Sequence, residues 1–127
     1  MNKQTLRELQ EFIASCDHGF NMDNDSIRSC RTPVCIAGHA AVLWSYVRSG
    51  PSKNRCFPNY EALAKKLDIP KRSLSRLTHP RDFPPEDWRK ITRLQALGAI
   101  DSLLASNGKK VVWPKSDEES DWVWSEQ

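Results

Sequence analysis

The fold is decided by Cys30-Arg31-Thr32-Pro33-Val34-Cys35-Ile36-Ala37-Gly38-His39-Ala40-Ala41, a stretch that runs into the longest apolar segment of the chain. Thr32 and Pro33 are a good N-cap and first helical residue, because proline lacks an N–H that the first turn leaves unbonded anyway. The residues from Pro33 to about Arg48 are apolar nearly all round, which predicts a buried central helix. Gly38 inside that helix predicts close packing against a neighbouring helix.

Three side chains of the same stretch are possible metal ligands: Cys30, Cys35 and His39. Cys35 and His39 are four residues apart, so they would share a helix face and could bind zinc. The spacing differs from ordinary zinc knuckles, and a fourth ligand would have to be His18, Cys16 or Cys56. Alternatives are a Cys30–Cys35 redox pair or a Cys35 nucleophile with His39 as its base. Structural packing is favoured, because buried cysteines are common in cores, so no metal or cofactor is predicted.

The whole chain has 127 residues, of which 39% are hydrophobic and 28% charged, and its net charge is +3. This composition is typical of a soluble globular protein with one compact domain. The first residues contain no apolar core of a signal peptide, and no segment is apolar over the length of a bilayer crossing. We therefore expect a cytoplasmic protein whose four cysteines are mostly reduced.

Capping signals predict the first and last helices of the domain. Thr5 and Glu8 match a capping box that would open the first helix. Thr92 and Gln95 match a second one, which would open a helix that stops at Asn107-Gly108. Together with the central helix and the pair described next, these signals predict a mainly α-helical, single-domain bundle of about five helices.

Residues 60–77 look like a helix-turn-helix, with a small Ala64 in the first helix and a tight turn at Asp68. The second helix carries residue types that contact phosphates and guanine edges, namely Lys71, Arg72, Ser73, Ser75 and Arg76. Any two short amphipathic helices in a hairpin would give the same pattern. The sequence pI of about 8.7 is also below the usual basic footprint of a DNA-binding domain. DNA binding is therefore one alternative function.

The domain is expected to end near residue 108 and to be followed by an acidic tail over residues 109–127. Residues 111–113 and 122–124 are β-prone, so this tail would be extended or form a short hairpin, packed on the domain or extending from it. Trp122 and Trp124 would face the same way in an extended segment.

Charge is distributed unevenly between the middle and the end of the chain. Residues 71–93 hold seven basic and three acidic side chains, whereas residues 115–127 hold one basic and five acidic. Either the tail pairs with the middle, or the two form a bipolar surface that offers each sign to a different partner. In the second case, the candidate partner-binding residues are Asp117, Glu118, Glu119, Trp122 and Trp124.

The stretch over residues 30–40 resembles the Cys-Gly-Thr-x-x-Cys-x-Ala-Gly-(His/Trp)-Ala signature of small uncharacterised proteins of phages, prophages and bacterial genomes. Phe20-Asn21-Met22 is similar to the Phe-Asp-Met sequence that precedes this signature, and residues 64–69 look like the family's Ala-x-x-Leu-Leu-Gly-Leu turn. The resemblance covers roughly residues 12–108, and Arg31 departs from the usual glycine. It implies a helical fold and a mobile-element setting, hence the host cytosol, without an established activity.

The leading hypothesis is a non-catalytic accessory protein or inhibitor of phage type that binds a host or defence protein. It rests on the bipolar charge, the tail tryptophans and the lack of a recognisable catalytic motif in the sequence. A DNA-binding protein that uses residues 60–77 and a metal or thiol-redox protein that uses Cys30, Cys35 and His39 are the alternatives. No membrane partner is expected, and the sequence leaves the oligomeric state open.

Overall fold

The computed structural model describes residues 1–16, 19–24, 34–45, 47–49, 56–120 and 122. It is mainly helical, as predicted. The described residues form five α-helices and two short strands, namely α1 Lys3–Ser15, α2 Ile36–Trp44, β1 Val47–Ser49, β2 Cys56–Pro58, α3 Tyr60–Leu67, α4 Lys71–Thr78 and α5 Arg93–Ala105. Two 3₁₀ helices cover Pro85–Lys90 and Asp117–Glu119.

Helix α1 begins two residues earlier than predicted, and its cap is Asn2 rather than Thr5. The Asn2 side chain accepts a hydrogen bond from the Thr5 backbone N–H at 3.1 Å. Thr5 is itself buried inside the helix, so the predicted capping box with Glu8 is wrong. The Asn2 side chain thus satisfies one of the N–H groups that the first turn of α1 leaves unbonded.

Helix α2 is shorter than predicted at both ends. Its N-cap is Cys35, whose Sγ accepts a hydrogen bond from the Gly38 N–H at 3.4 Å, while the predicted cap Thr32 lies outside the described residues. The helix ends at Trp44 because Ser45 takes a left-handed conformation with φ 59°, so it does not continue to Arg48. The residues from Ile36 to Ala41 are buried, as expected for a central helix.

The segment after α2 contains a two-stranded antiparallel pair that the sequence reading missed. Val47 lies opposite Pro58 and Ser49 opposite Cys56. The helix predicted to continue to about Arg48 covers the first two residues of β1, so its end is wrong. Val47 and Phe57 are residue types that favour strands. The apolar run from Pro33 to about Arg48 is therefore divided between helix α2 and strand β1.

Gly38 is required by a close contact within the chain rather than by a neighbouring helix. A Cβ at this position would lie 2.5 Å from Val34 Cβ and 2.7 Å from its Cγ2. Val34 is fully buried and forms an isolated parallel bridge with Phe20. Val34 therefore packs directly against the first turn of α2.

Helix α5 contributes the largest block of the core. Thr92 and Gln95 form the predicted capping box, and the helix is followed by Asn107 and Gly108 in left-handed conformations. Its buried residues surround almost the whole helix and include Ala96, Leu97, Gly98, Ala99, Ile100 and Leu103. Gln10 of α1 joins the two helices, because its side-chain amide donates to the Leu97 carbonyl oxygen at 3.1 Å and to the Asp101 carboxylate.

The described part of the C-terminal segment lies on the helical body. Trp113 and Pro114 are buried, and the Trp113 indole N–H donates to the Arg76 carbonyl oxygen of α4 at 3.0 Å. The Ser120 hydroxyl donates to the Leu94 carbonyl oxygen of α5 at 2.8 Å. No strand is present between residues 109 and 120 or at Trp122, so the hairpin alternative is wrong for these residues.

None of the helices in the described ranges has the length and apolar composition needed for a bilayer crossing.

Candidate functional site

Helices α3 and α4 form the predicted helix pair, joined by a tight turn. Asn59 caps α3 by accepting from the Ala62 N–H at 3.2 Å, and Asp68 ends it in a left-handed conformation with φ 54°. Ile69 and Pro70 complete the turn, and Pro70 occupies the N-cap of α4. The inner faces of both helices are buried, through Leu63, Ala64, Leu67, Leu74 and Leu77. The outer face of α4 is therefore held in a fixed orientation.

Four of the five predicted nucleic-acid contacts lie on that outer face. We call the exposed residues Lys71, Arg72, Ser75 and Arg76 the α4 basic face. The Lys71 ammonium lies 4.0 Å from the Glu61 carboxylate, and both side chains are largely exposed. Within the described part of the chain, no ion pair joins Arg72 or Arg76 to a carboxylate. Arg72 and Arg76 are thus one helical turn apart, and no carboxylate in the described part of the chain compensates their charge.

Ser73 does not belong to this face, which corrects its prediction as a nucleic-acid contact. It is buried, and its hydroxyl donates to the Gly108 carbonyl oxygen at 2.8 Å. Its position two residues after Lys71 turns it toward the core side of a helix with 3.6 residues per turn. Ser73 therefore fixes the segment after α5 against α4.

That packing adds two basic residues that the sequence reading did not include. The hydrogen bond from Ser73 to Gly108 and the one from Trp113 to Arg76 hold residues 108–113 along the flank of α4. Lys109 and Lys110 are exposed in this segment. The sequence shows two adjacent lysines after Gly108, but only the tertiary structure shows that they lie beside α4.

The acidic part of the tail contacts the middle of the chain through an uncharged donor. The Thr92 hydroxyl donates to the Asp117 carboxylate, whereas the Glu119 carboxylate accepts from the Lys115 N–H within the tail at 2.8 Å. Among the described residues, the basic segment forms its ion pairs with Asp23, Glu61 and Asp87 instead. Contact between tail and middle therefore does not neutralise the α4 basic face.

Trp122 packs partly buried against the hydrophobic core, whereas Asp117, Glu118 and Glu119 are exposed. Trp124 lies outside the described residues, so its predicted role stays a prediction. A groove of about 970 Å³ runs between α1, α5 and the C-terminal segment, and Trp122 and Glu119 line one side of it. Val112 also lines this groove and is a large apolar side chain with 55% exposure.

The cysteine and histidine of the α2 region take up structural positions. Cys35 is the N-cap of α2 and not a mid-helix residue, and the His39 Nδ1 lies 2.9 Å from the Cys35 carbonyl oxygen. Because a carbonyl oxygen only accepts, this nitrogen carries the proton. The His39 ring is buried beside Phe12 and Phe20. Cys30 lies outside the described residues, and no three potential ligand residues converge within the described part.

Comparisons of the chain with protein-family models, with curated proteins and with solved structures gave no match.

Proposed function

We propose that this chain is a non-catalytic binding protein whose α4 basic face contacts the phosphates of duplex DNA. The observation that carries the proposal is the exposed pair Arg72 and Arg76, which has no carboxylate partner among the described residues. These arginines lie on the second helix of a tightly turned helix pair, the position that recognition helices occupy in helix-turn-helix proteins. Lys109 and Lys110 extend the positive surface along one flank of α4.

The length of α4 decides the mode of binding that we expect. It has eight residues and ends where His79 and Pro80 leave the helical conformation. An eight-residue helix is about 12 Å long, which spans the major groove but presents few base-reading side chains. Phosphate contacts therefore dominate, and the affinity should fall steeply with salt and depend little on sequence.

The test is the double charge reversal Arg72→Glu/Arg76→Glu, with duplex binding followed by fluorescence anisotropy over a series of salt concentrations. Each lost phosphate contact should lower the slope of log affinity against log salt by about 0.9, so the double variant should lose about 1.8. Both side chains are exposed, so the thermal stability should stay unchanged.

The matched control is Arg89→Glu/Lys90→Glu, which makes the same charge change in the same basic segment. These residues lie on the first 3₁₀ helix and pair with Asp23 and Asp87. The control should lower affinity only weakly, through the net charge. Absence of duplex binding at low salt, or an equal loss in both double variants, contradicts the proposal.

A protein partner is the second candidate, and the groove between α1, α5 and the C-terminal segment favours it. Val112 exposes apolar surface at this groove, and Glu118 is exposed in the adjacent acidic stretch. Exposed apolar side chains beside a charged rim are typical of protein interfaces. The expected host or defence partner belongs to this candidate, as does the mobile-element setting that the family resemblance implies.

A pulldown from host lysate tests the second candidate with the variant Val112→Asp/Glu118→Lys. A protein captured by the wild type should be lost with this variant and retained with Glu86→Lys, an exposed charge reversal on the other 3₁₀ helix. If the wild type captures no specific protein, or if both variants retain it, the groove is not the interface.

A further inference from the structure

Two small clefts meet at the His79 side chain, on the α3 side of the α4 basic face. The larger has a volume of about 240 Å³, and it is lined by Tyr60, Glu61, Lys71, Leu74 and His79. The smaller has a volume of about 140 Å³ and shares Tyr60 and His79. The larger cleft is below the roughly 300–1,000 Å³ of pockets that enclose a drug-sized ligand, so it suits a single ring system.

Aromatic rings border both clefts in one continuous row. The ring centroids of Tyr60 and His79 are 5.7 Å apart with an interplanar angle of 39°. Those of His79 and Trp88 are 6.0 Å apart at 63°. His79 is exposed, and Tyr60 and Trp88 are half-buried. A planar ligand therefore finds aromatic surface at the very edge of a cationic helix.

The His79 ring is held in place by its neighbour. The Thr78 hydroxyl donates to the Leu74 carbonyl oxygen at 2.8 Å, and His79 Nδ1 lies 2.9 Å from the same hydroxyl oxygen. Because the hydroxyl has a single proton, Nδ1–H must be the donor in the second bond. This assigns the tautomer and leaves Nε2 as an acceptor in the neutral ring. A ring fixed in this way loses little conformational entropy when it stacks on a ligand.

We propose that this cleft binds one unpaired base of single-stranded DNA, stacked on His79 and Tyr60, while the adjoining phosphates contact Lys71 and the rest of the α4 basic face. The inference rests on the proposed DNA binding and adds single-stranded DNA as a second form that the same basic face would hold. Aromatic side chains interleaved with cationic ones are the usual platform for single strands, because every base has a π face. In a duplex the base faces are already stacked, so the cleft would contribute nothing there.

Glu61 provides an independent check on the position of the phosphate. Its carboxylate lines the cleft and lies 4.0 Å from the Lys71 ammonium, so it offsets part of the charge available to an anion. The variant Glu61→Gln should therefore bind the single strand about two- to threefold more tightly at low salt. A substitution that merely damaged the fold would weaken binding instead.

The experiment compares His79→Ala with His79→Phe by anisotropy, using a short labelled oligothymidine and a duplex of equal length. Loss of the ring should weaken binding to the oligothymidine about tenfold and leave duplex binding unchanged. The phenylalanine variant keeps a stacking surface and should restore the affinity for the single strand. Unlabelled thymidine monophosphate serves as the competitor.

The outcomes separate this inference from the proposed function. If His79→Ala binds both probes like the wild type, or weakens both equally, base stacking at this cleft is refuted while salt-dependent duplex binding can still hold. If thymidine monophosphate competes as well as the oligomer, the ligand is a free nucleotide and the single-strand inference is overturned. If the wild type binds neither probe at low salt, the proposed DNA binding itself fails.

Discussion

Replacement of Gly38 by alanine should destabilise the protein, although alanine is the better helix former. The added Cβ would lie 2.5 Å from Val34 Cβ, whereas carbon atoms in good contact are about 3.5–4.0 Å apart. Rotation of the valine side chain does not move its Cβ, so the backbone has to shift by about 1 Å. The Phe20 bridge and the hydrogen bond from the Asn21 N–H to the Val34 carbonyl oxygen oppose that shift.

Two opposing terms decide the size of the effect. Overpacking of a well-packed core costs about 1–3 kcal/mol, and a contact with a fixed Cβ belongs in the upper part of that range. Replacement of a glycine inside a helix by alanine stabilises the helix by at most about 1 kcal/mol. We therefore expect Gly38→Ala to lower the free energy of unfolding by about 1–2 kcal/mol.

Urea unfolding followed by tryptophan fluorescence measures this loss. With a slope of about 1–3 kcal/mol per molar urea, the midpoint should fall by about 0.3–2 M at an unchanged slope. The variant Val34→Gly supplies a double-mutant cycle, because it removes the atom that the new methyl group would meet. In that background Gly38→Ala should be neutral or stabilising. Equal or higher stability of Gly38→Ala in the wild-type background would refute the reasoning.

Three further substitutions test other contacts. Asn2→Ala should cost about 1 kcal/mol of stability in the same urea assay, whereas Glu8→Ala should change it by less than about 0.5 kcal/mol; the reverse order would restore the predicted capping box. Ser73→Ala should cost about 1–2 kcal/mol, because the Gly108 carbonyl oxygen loses its buried donor, while DNA affinity measured by anisotropy stays unchanged; a loss of affinity at full stability would return Ser73 to the binding face. Gly98→Ala places a Cβ 2.6 Å from Pro114 Cγ and from Ser120 Oγ, so trypsin should cleave after Lys115 faster than in the wild type, and an unchanged rate would contradict the packing.

The sequence was most informative where a local signal agreed with the tertiary structure. The α3–α4 turn and the Thr92–Gln95 capping box were both predicted and are both present. The predicted end of α2 was wrong, because the apolar run continues past Trp44 and does not indicate where the helix stops. Ser45 ends the helix in a left-handed conformation, which serine has no intrinsic tendency to adopt. Local preference therefore does not predict that boundary.

The candidate site could be predicted only in part for a similar reason. The exposure of Arg72 and Arg76 follows from the helical period, but the burial of Ser73 depends on a segment that lies 35 residues further along the chain. The aromatic neighbours of His79 are Tyr60 and Trp88, which come from separate parts of the chain, and no spacing rule would have joined them.

The reactivity of the Cys35 thiol, which caps α2, can report how often this helix opens locally. The Cys35 thiol is only 2% exposed, so an alkylating reagent reaches it only after the first turn of α2 has opened. Cys16 is half-buried at the end of α1 and reacts from a more accessible position, which makes it an internal reference. Both modification rates can be read peptide by peptide in a mass spectrometer. Their ratio would report the local opening free energy of the central helix without an engineered probe.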